Sequence, residues 1–184
     1  MSREHLSPLQ VADAALSELH DLLPRIGGGA LGIGYHRVEL DTTVDPSPRH
    51  LGDTVLARTR SALHGVPVVL DKVADMSVAV EGPDWMLPIE DFTPIYLRPA
   101  AAVLAHRIVD ALRDEMHKTR GMRHRAFVVA TAPMAAPHPE VLTVAYGDGL
   151  SLRAAHNFDI GLASMVLGLD VLFGLRTLGE EKAL

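Results

Sequence analysis

The sequence contains no cysteine, few aromatic residues and no excess of positive charge. The absence of cysteine excludes disulfide bonds and thiolate metal sites, and it fits a reducing compartment. Because aromatic residues make up only 4% of the chain, valine, leucine and alanine must fill the core, and a hydrophobic fraction of 48% is ample for that. The formal net charge of −6 argues against a protein whose whole surface binds nucleic acid. A length of 184 residues fits one domain, or one domain with an arm.

Long hydrophobic runs are also missing. Proline, glycine or charged residues interrupt every apolar stretch well before it reaches the length of a membrane span. The first ten residues, MSREHLSPLQ, lack the apolar segment of a signal peptide. We therefore expect a soluble protein without a membrane partner.

The strongest pattern that is present lies in residues 84–118 and predicts a long amphipathic helix. Asp91 is the predicted N-cap, Pro94 falls in the first turn, and Pro99 predicts a kink or a late start. A helix from Asp91 to His117 would span about 40 Å, so other segments must pack on it. Its apolar side chains recur at spacings of three and four, which places them on one face. They are Leu97, Ala101, Leu104, Ile108, Leu112 and Met116.

A second helix is predicted at residues 8–23, within an N-terminal helix and arm that occupy residues 1–50. Ser7 is a suitable cap, Pro8 suits the first helical position, and Pro24 predicts the end of the helix. The apolar face of this helix is expected to consist of Leu9, Ala12, Leu16, Leu19 and Leu23.

The remaining regular patterns predict strands, and together with the helices they indicate the α+β class. Residues 126–133 fit either a short helix or a buried strand, because periodicity does not separate the two. Gly147, Asp148 and Gly149 between apolar runs predict a hairpin turn. A period of two predicts strands at 54–60, 66–70, 74–81, 141–146, 150–160 and 164–178.

Several motifs that could carry chemistry lack the context that the chemistry needs. Gly27, Gly29 and Gly32 satisfy G-x-G-x-x-G, but a helix and Pro24 precede them where a dinucleotide site needs a strand. Ser151 lacks the flanking glycines of a nucleophile elbow. The ten histidines form no metal-binding spacing, and a predicted break in the helix separates His117 from His124.

Charged residues at the end of the long helix are better explained as a solvated face. Asp110, Asp114 and Glu115 alternate at helical spacing with Arg107, Arg113 and Lys118, a pattern typical of surface ion pairs. The segment RDEMHKTRGMRHR at 113–125 is locally basic but has no interleaved aromatic residue on which a nucleic acid base could stack. We predict no catalytic residue, no metal ligand and no cofactor.

Four segments after residue 50 carry a resemblance to a known family. They are LGDTVLARTR at 51–60, the stretch 66–108, HRAFVVATAPMAAP at 124–137, and the stretch 149–178. The second contains Leu-x-Ile-x-Asp-Phe followed by a Pro-Ala pair, and the fourth contains the phrase Asp170 to Gly174. In this order the segments resemble the major capsid (coat) proteins of tailed phages, particularly those common in actinobacterial phages.

The resemblance implies a phage-capsid fold of the α+β class, reduced to an extended loop, a long spine helix and a peripheral antiparallel sheet. The extended loop would occupy residues 51–83, and the spine helix and peripheral sheet would occupy residues 84–184. Family members carry a sizeable axial domain after the spine helix, whereas here only residues 116–123 lie at that point. The axial domain is therefore expected to be largely missing.

The expected function is structural rather than enzymatic. The resemblance implies a shell protein that self-assembles into an icosahedral phage-like capsid or nanocompartment, found in a virion or a cytoplasmic particle of a bacterial host. Its partners would be further copies or related capsid subunits, with packaged nucleic acid or other cargo. The alternative is a minor or satellite protein that caps, sizes or interferes with another phage capsid. Apolar residues on both faces of the arm at 52–82 predict that it lies across a neighbouring subunit.

Overall fold

The N-terminal helix starts where its capping residues predict. Ser7 and Gln10 form a capping box, in which each backbone N–H donates to the other residue's side chain at 3.0 and 3.2 Å. Helix α1 runs over Pro8–Ile26, so the predicted end at Pro24 is wrong: the proline removes one hydrogen bond, but its φ suits the last turn. The fold was obtained as a computed structural model that describes residues 6–26, 37–41, 47–59, 64–118, 126–135, 142–147 and 149–178.

The long helix is present, but its first turns differ from the prediction. A short helix α2 (Ile89–Phe92) is capped by Pro88, so Asp91 lies within the first turn and is not the N-cap. A π-helical turn over Thr93–Leu97 then leads into helix α3 (Arg98–Lys118), with the Arg98 N–H donating to the Thr93 carbonyl. The irregularity that Pro99 predicts is this wide turn, which places the proline at the second position of α3.

The strands form one curled sheet and a separate hairpin. Strand β8 is fifteen residues long and pairs antiparallel with β4 along one edge, and with β7 and β5 along the other. Strand β6 pairs antiparallel with β7, and β1 pairs parallel with β5. The hairpin consists of β2 and β3, which pair with each other. The strands are β1 Arg37–Leu40, β2 Thr54–Ala57, β3 Val66–Val69, β4 Lys72–Val80, β5 Ala126–Ala132, β6 Leu142–Gly147, β7 Leu150–Asp159 and β8 Ser164–Leu178.

Several predictions about strands are confirmed. Residues 126–133, which fitted either a helix or a strand, contain strand β5, and the strand predicted at 164–178 is β8 with the same bounds. Gly147 pairs with Leu150, and Gly149 adopts φ +81°, as a two-residue hairpin turn requires. The segment predicted as an extended loop at 51–83 has two parts: the β2–β3 hairpin, and strand β4, which belongs to the main sheet.

Both helices pack on one face of the sheet. The predicted stripe of α3 is confirmed, since its five residues from Leu97 to Leu112 are fully buried or nearly so and Met116 is partly buried. On α1 the prediction is wrong for Leu9, which is 55% exposed, and right for the other four residues. A bidentate ion pair joins the helices: Arg98 donates to Glu18 at 2.9 and 3.0 Å, and this hydrogen bonding lowers the pKa of Glu18 below its usual 4.5.

The β2–β3 hairpin packs on the opposite face of the sheet. Successive residues of β5 point to the two faces, so Phe127 and Val129 contact the helices while Val128 and Ala130 contact Ala57 and Val68 of the hairpin. Strand β5 is therefore buried on both sides, which explains why its sequence shows no alternation. We call the sheet face that carries the hairpin the outer face.

Gly174 allows the hairpin to approach the sheet. A methyl group at this position would overlap the carbonyl oxygen of Val69 and lie 2.8 Å from Cγ1 of Val68. We expect Gly174→Ala to lower the free energy of unfolding by about 1–3 kcal/mol, because the hairpin must shift away from the sheet. Urea denaturation measures the loss, and hydrogen exchange of residues 54–57 would report faster opening there.

Gly168 provides the matched control, since it lies on the same strand and the same face. A methyl group there would meet its nearest neighbours at 3.8 Å, an ordinary van der Waals distance. Gly168→Ala should leave the urea midpoint unchanged or slightly raised, because alanine reduces the entropy of the unfolded chain. Equal losses in the two variants would show that the hairpin does not rest on Gly174.

Candidate functional site

The residues that were candidates for catalysis or metal binding in the sequence do not come together at one site. Asp110 pairs with Arg113 at 2.9 Å and Glu115 with Lys118 at 3.2 Å, both within the exposed side of α3, as predicted for a solvated face. Ser151 is buried in β7, and its hydroxyl finds no hydrogen-bond partner among the residues that the structure describes. No group of three or more metal-ligating side chains occurs within the described part of the chain.

Other sequence candidates lie outside the described residues. These are the glycine motif at 27–34, His124, and the part of the basic segment that follows Lys118.

Arg107 is a candidate that the structure does describe. It lies on the exposed side of α3 and forms an ion pair with Asp75 of the edge strand β4. Of the described helices, none has both the length and the apolar character needed to cross a membrane.

The outer face of the sheet holds a part-buried ion pair. Arg153 on β7 donates from Nε and Nη2 to both carboxylate oxygens of Asp170 on β8, at 2.7 to 3.0 Å, and from Nη1 to the Ala135 carbonyl at 3.1 Å. Burial raises the pKa of Asp170 above its usual 3.8, and the Arg153 guanidinium offsets part of this effect. Asp75 lies opposite Asp170 in the register and adds to the rise.

An aromatic cluster fixes the start of the long helix. Trp85 packs on Phe92 with ring centroids 5.4 Å apart, and Phe92 packs on Tyr96 at 4.9 Å. The Tyr96 hydroxyl donates to Asp84, and this hydrogen bond raises the pKa of Tyr96. Beneath Trp85 a small cavity of about 110 Å³ lies against α1 and β7. The cluster thus joins the segment that precedes α2 to the helices and the sheet.

The turn between β7 and β8 exposes three large apolar side chains, which we call the tip: Phe158, Ile160 and Leu162. Ile160 is 87% exposed. The turn has a defined conformation, because Asp159 Oδ1 accepts the backbone N–H groups of Gly161 and Leu162 at 2.7 and 3.1 Å. Ala163 adopts φ +48°, which completes the reversal of the chain. The tip therefore presents apolar side chains from a hydrogen-bonded turn.

A groove of about 520 Å³ lies on the sheet beside the tip. Ala155 of β7 and Gly168 of β8 are partners in the register, so little side-chain volume covers the sheet at this point. Asn157 and Val166, the next pair on the same face of the sheet, lie further toward the tip. The groove and the tip form a continuous, largely apolar surface at one end of β8.

The β2–β3 hairpin exposes a second apolar surface, which we call the hairpin face: Thr54, Leu56, Pro67 and Val69. These residues form two register pairs, Thr54 with Val69 and Leu56 with Pro67, and all four are exposed. Leu56 is 65% exposed, although its neighbours on the other side of the hairpin are buried against β5.

The tip and the hairpin face lie far apart on one rigid element. The hairpin rests on Gly174 of β8, whereas the tip ends at Ser164, where β8 begins. The ten-residue step from Ser164 to Gly174 corresponds to roughly 33 Å of strand. One molecule therefore exposes two separate apolar surfaces, at opposite ends of strand β8.

The tip and the Arg153–Asp170 pair were missed by sequence reasoning. Phe158 and Ile160 fell within the strand predicted at 150–160 and Leu162 in no predicted element, although Asp159 and Gly161 between them are residues typical of turns. Arg153 and Asp170 lie within predicted strands, but those strands also carry Asp159 and Arg176, so charge alone does not identify the pair.

Comparisons with known proteins add nothing to this geometry, so the proposal of a function rests on the geometry alone. No protein-family model, no curated protein and no solved structure matches the chain.

Proposed function

We propose that the chain is a shell-forming structural protein with a reduced phage-capsid fold, which assembles with further copies of itself. The observation that carries the proposal is the pair of apolar contact surfaces about 33 Å apart along β8. A subunit with two different exposed apolar surfaces can bind two neighbours at once, and such contacts generate rings or extended arrays. A protein that binds one partner needs only one such surface.

The order of the elements supports the same proposal. An arm with a two-stranded hairpin precedes a long helix, and the helix leads into a sheet whose strands close the chain. This is the order that the resemblance to tailed-phage coat proteins implies. The rigid core of α1, α3 and the sheet would hold the two surfaces in fixed relation, as repeated contacts in a shell require.

The connection after the long helix bears on the form of the shell. Helix α3 ends at Lys118 and β5 begins at Ala126, so seven residues join them. A segment of that length is too short for a domain with its own core. Without an axial domain, the centres of the rings in the shell would stay open, or another protein would fill them.

That missing domain also favours the second candidate function, a protein that caps or sizes the capsid of another phage. Such a protein would keep the helix and sheet that contact capsid subunits and would dispense with the part that closes a ring. It would form small oligomers alone, because its contact surfaces would be complementary to a different subunit rather than to itself.

The mass of the purified protein in solution tests the proposal and separates the two candidates. A shell former should elute as particles in the megadalton range by light scattering, and negative-stain microscopy should show closed particles with holes at the ring centres. A monomer or small oligomer at every concentration would contradict the shell proposal. In that case, binding to an assembling capsid subunit of a different phage would test the capping function.

A further inference from the structure

We infer that the ion pair between Arg107 and Asp75 blocks the open edge of the sheet, so that a strand of another chain does not pair with β4. The ion pair would thus be an inhibitory contact built into the fold. The inference goes beyond the proposed function and does not depend on it, because an open strand edge invites pairing with other chains in any protein.

Strand β4 has one edge without a partner among the described strands. Its nine residues pair with β8 along one side, and no described strand pairs with the other side. Alternate residues of an antiparallel strand turn both backbone groups away from their partner, so about four residues of β4 present an N–H and a C=O group along the open edge. Such a row of donors and acceptors is a template for another strand.

The sequence of β4 favours pairing of this kind. From Val73 to Val80 the strand consists of valine, alanine, methionine and serine with one charged residue, Asp75, and it contains neither proline nor glycine. Segments of six or seven residues with high β propensity and low net charge are those that stack between chains most readily. An open edge of this composition needs a feature that keeps other strands away.

The position of Arg107 supplies that feature. Helix α3 packs on the face of the sheet opposite the outer face, where it shares the core with Ala74 of β4. Asp75 is exposed and points to the outer face, since it lies opposite Asp170 in the register. Arg107 donates from Nη1 to Oδ1 of Asp75. Because the arginine starts on one side of the sheet and its partner lies on the other, the side chain of Arg107 crosses the open edge of β4.

Helix α3 does not itself close this edge. A groove of about 480 Å³ lies between the helix and the beginning of β4, and its lining includes Lys72 and Val73 of the strand and Arg107 of the helix. Val73 is 40% exposed there. Among the described residues, the side chain of Arg107 is therefore what stands between an approaching strand and the middle of β4.

The ion pair acts through its position more than through its strength. The side chains of Arg107 and Asp75 are 49% and 68% exposed, and an exposed ion pair adds little to the stability of a fold. A strand that paired with β4 would have to displace the guanidinium and would exclude water from the carboxylate. Asp75 would then lose its partner and part of its hydration together, which opposes the pairing.

The kinetics of thioflavin T fluorescence test the inference, since this dye reports stacked β-sheets. Arg107→Ala removes the guanidinium from the edge. Arg113→Ala is the matched control, because Arg113 also lies on α3, is 45% exposed and forms one exposed ion pair, with Asp110. Both variants lose one positive charge, so net charge does not distinguish them. The full-length proteins are shaken at the same concentration and the lag times are compared.

Arg107→Ala should form dye-positive sheets with a lag time at least about fivefold shorter than that of Arg113→Ala, which should behave as the wild type does. Adding Ser77→Lys to the Arg107→Ala variant should return the lag time toward the wild-type value. Ser77 is exposed on the same face of β4 as Asp75, and a lysine on an edge strand opposes pairing with a further strand.

The urea midpoints of wild type and Arg107→Ala should agree, because the ion pair is exposed. If the midpoint of Arg107→Ala falls, the double variant still decides, since Ser77→Lys charges the edge without restoring the ion pair. Equal lag times for Arg107→Ala and Arg113→Ala, or fast aggregation that Ser77→Lys does not slow, would overturn the inference. The particle mass of the wild type is a separate measurement and bears only on the proposed function.

Discussion

Leu104→Ala is expected to lower the free energy of unfolding by about 2–5 kcal/mol. Leu104 is fully buried at the middle of α3, in the core that α1, α3 and the sheet share. Removing three carbon atoms there loses their transfer free energy, and the surrounding helices and strands can close the cavity only in part. Equilibrium denaturation in urea measures the change as a lower midpoint at constant slope.

Leu9→Ala is the matched control, since it makes the same chemical change on a helix but at an exposed position. Leu9 is 55% exposed, so its truncation should change the free energy of unfolding by no more than about 0.5 kcal/mol. A similar loss at both positions would show that burial does not determine the cost, because alanine has the higher helix propensity at either site. An unchanged midpoint for Leu104→Ala would remove α3 from the core.

These two leucines also show how far periodicity predicts the fold. Leu104 belongs to a stripe of six apolar residues that extends from Leu97 along one face of α3. A long stripe predicts burial reliably, because all its residues face the same side of the helix and pack against the same neighbours. Leu9 lies on the first turn of α1 and is exposed, although Leu6 and Val11 on either side of it pack on the core. Whether the end of a stripe is buried depends on its neighbours, which the local pattern does not contain.

The positions of the strands were predictable from local patterns, but the pairing of the strands in the sheet was not. Alternation and the Gly147–Gly149 turn predict the strands and the β6–β7 hairpin, because both depend on residues close together in the chain. The pairing of β4 with β8 and of β1 with β5 joins segments about 90 residues apart. Nothing in a local pattern selects these partners, so the outer face and the resting place of the β2–β3 hairpin appear only in the folded chain.

The candidate interaction surfaces were half predictable. The exposed apolar residues of the arm predict that it needs a neighbour, and the hairpin face retains that character in the fold. The tip was missed because an apolar turn residue looks like the end of a strand until its exposure is known. Exposure is a property of the whole fold, since it depends on how far α1 and α3 extend over the sheet.

Arg153→Leu is expected to lower the free energy of unfolding by about 3–5 kcal/mol near neutral pH, because it leaves Asp170 buried without its partner. Replacing both residues, Arg153→Leu with Asp170→Leu, should recover most of this loss, since no buried charge then remains.

The deficit of Arg153→Leu should also depend on pH, with a definite sign. Burial already raises the pKa of Asp170, and without Arg153 it must rise further. Above that pKa the variant must hold a buried carboxylate, and below it the carboxyl is neutral, so the deficit should shrink as the pH falls toward 4. Urea denaturation of the wild type and both variants at about pH 7 and about pH 4 gives the comparison. A deficit that is the same at both pH values, or that the double variant keeps in full, would assign the role of Arg153 to its hydrogen bond with Ala135 instead of to the charge of Asp170.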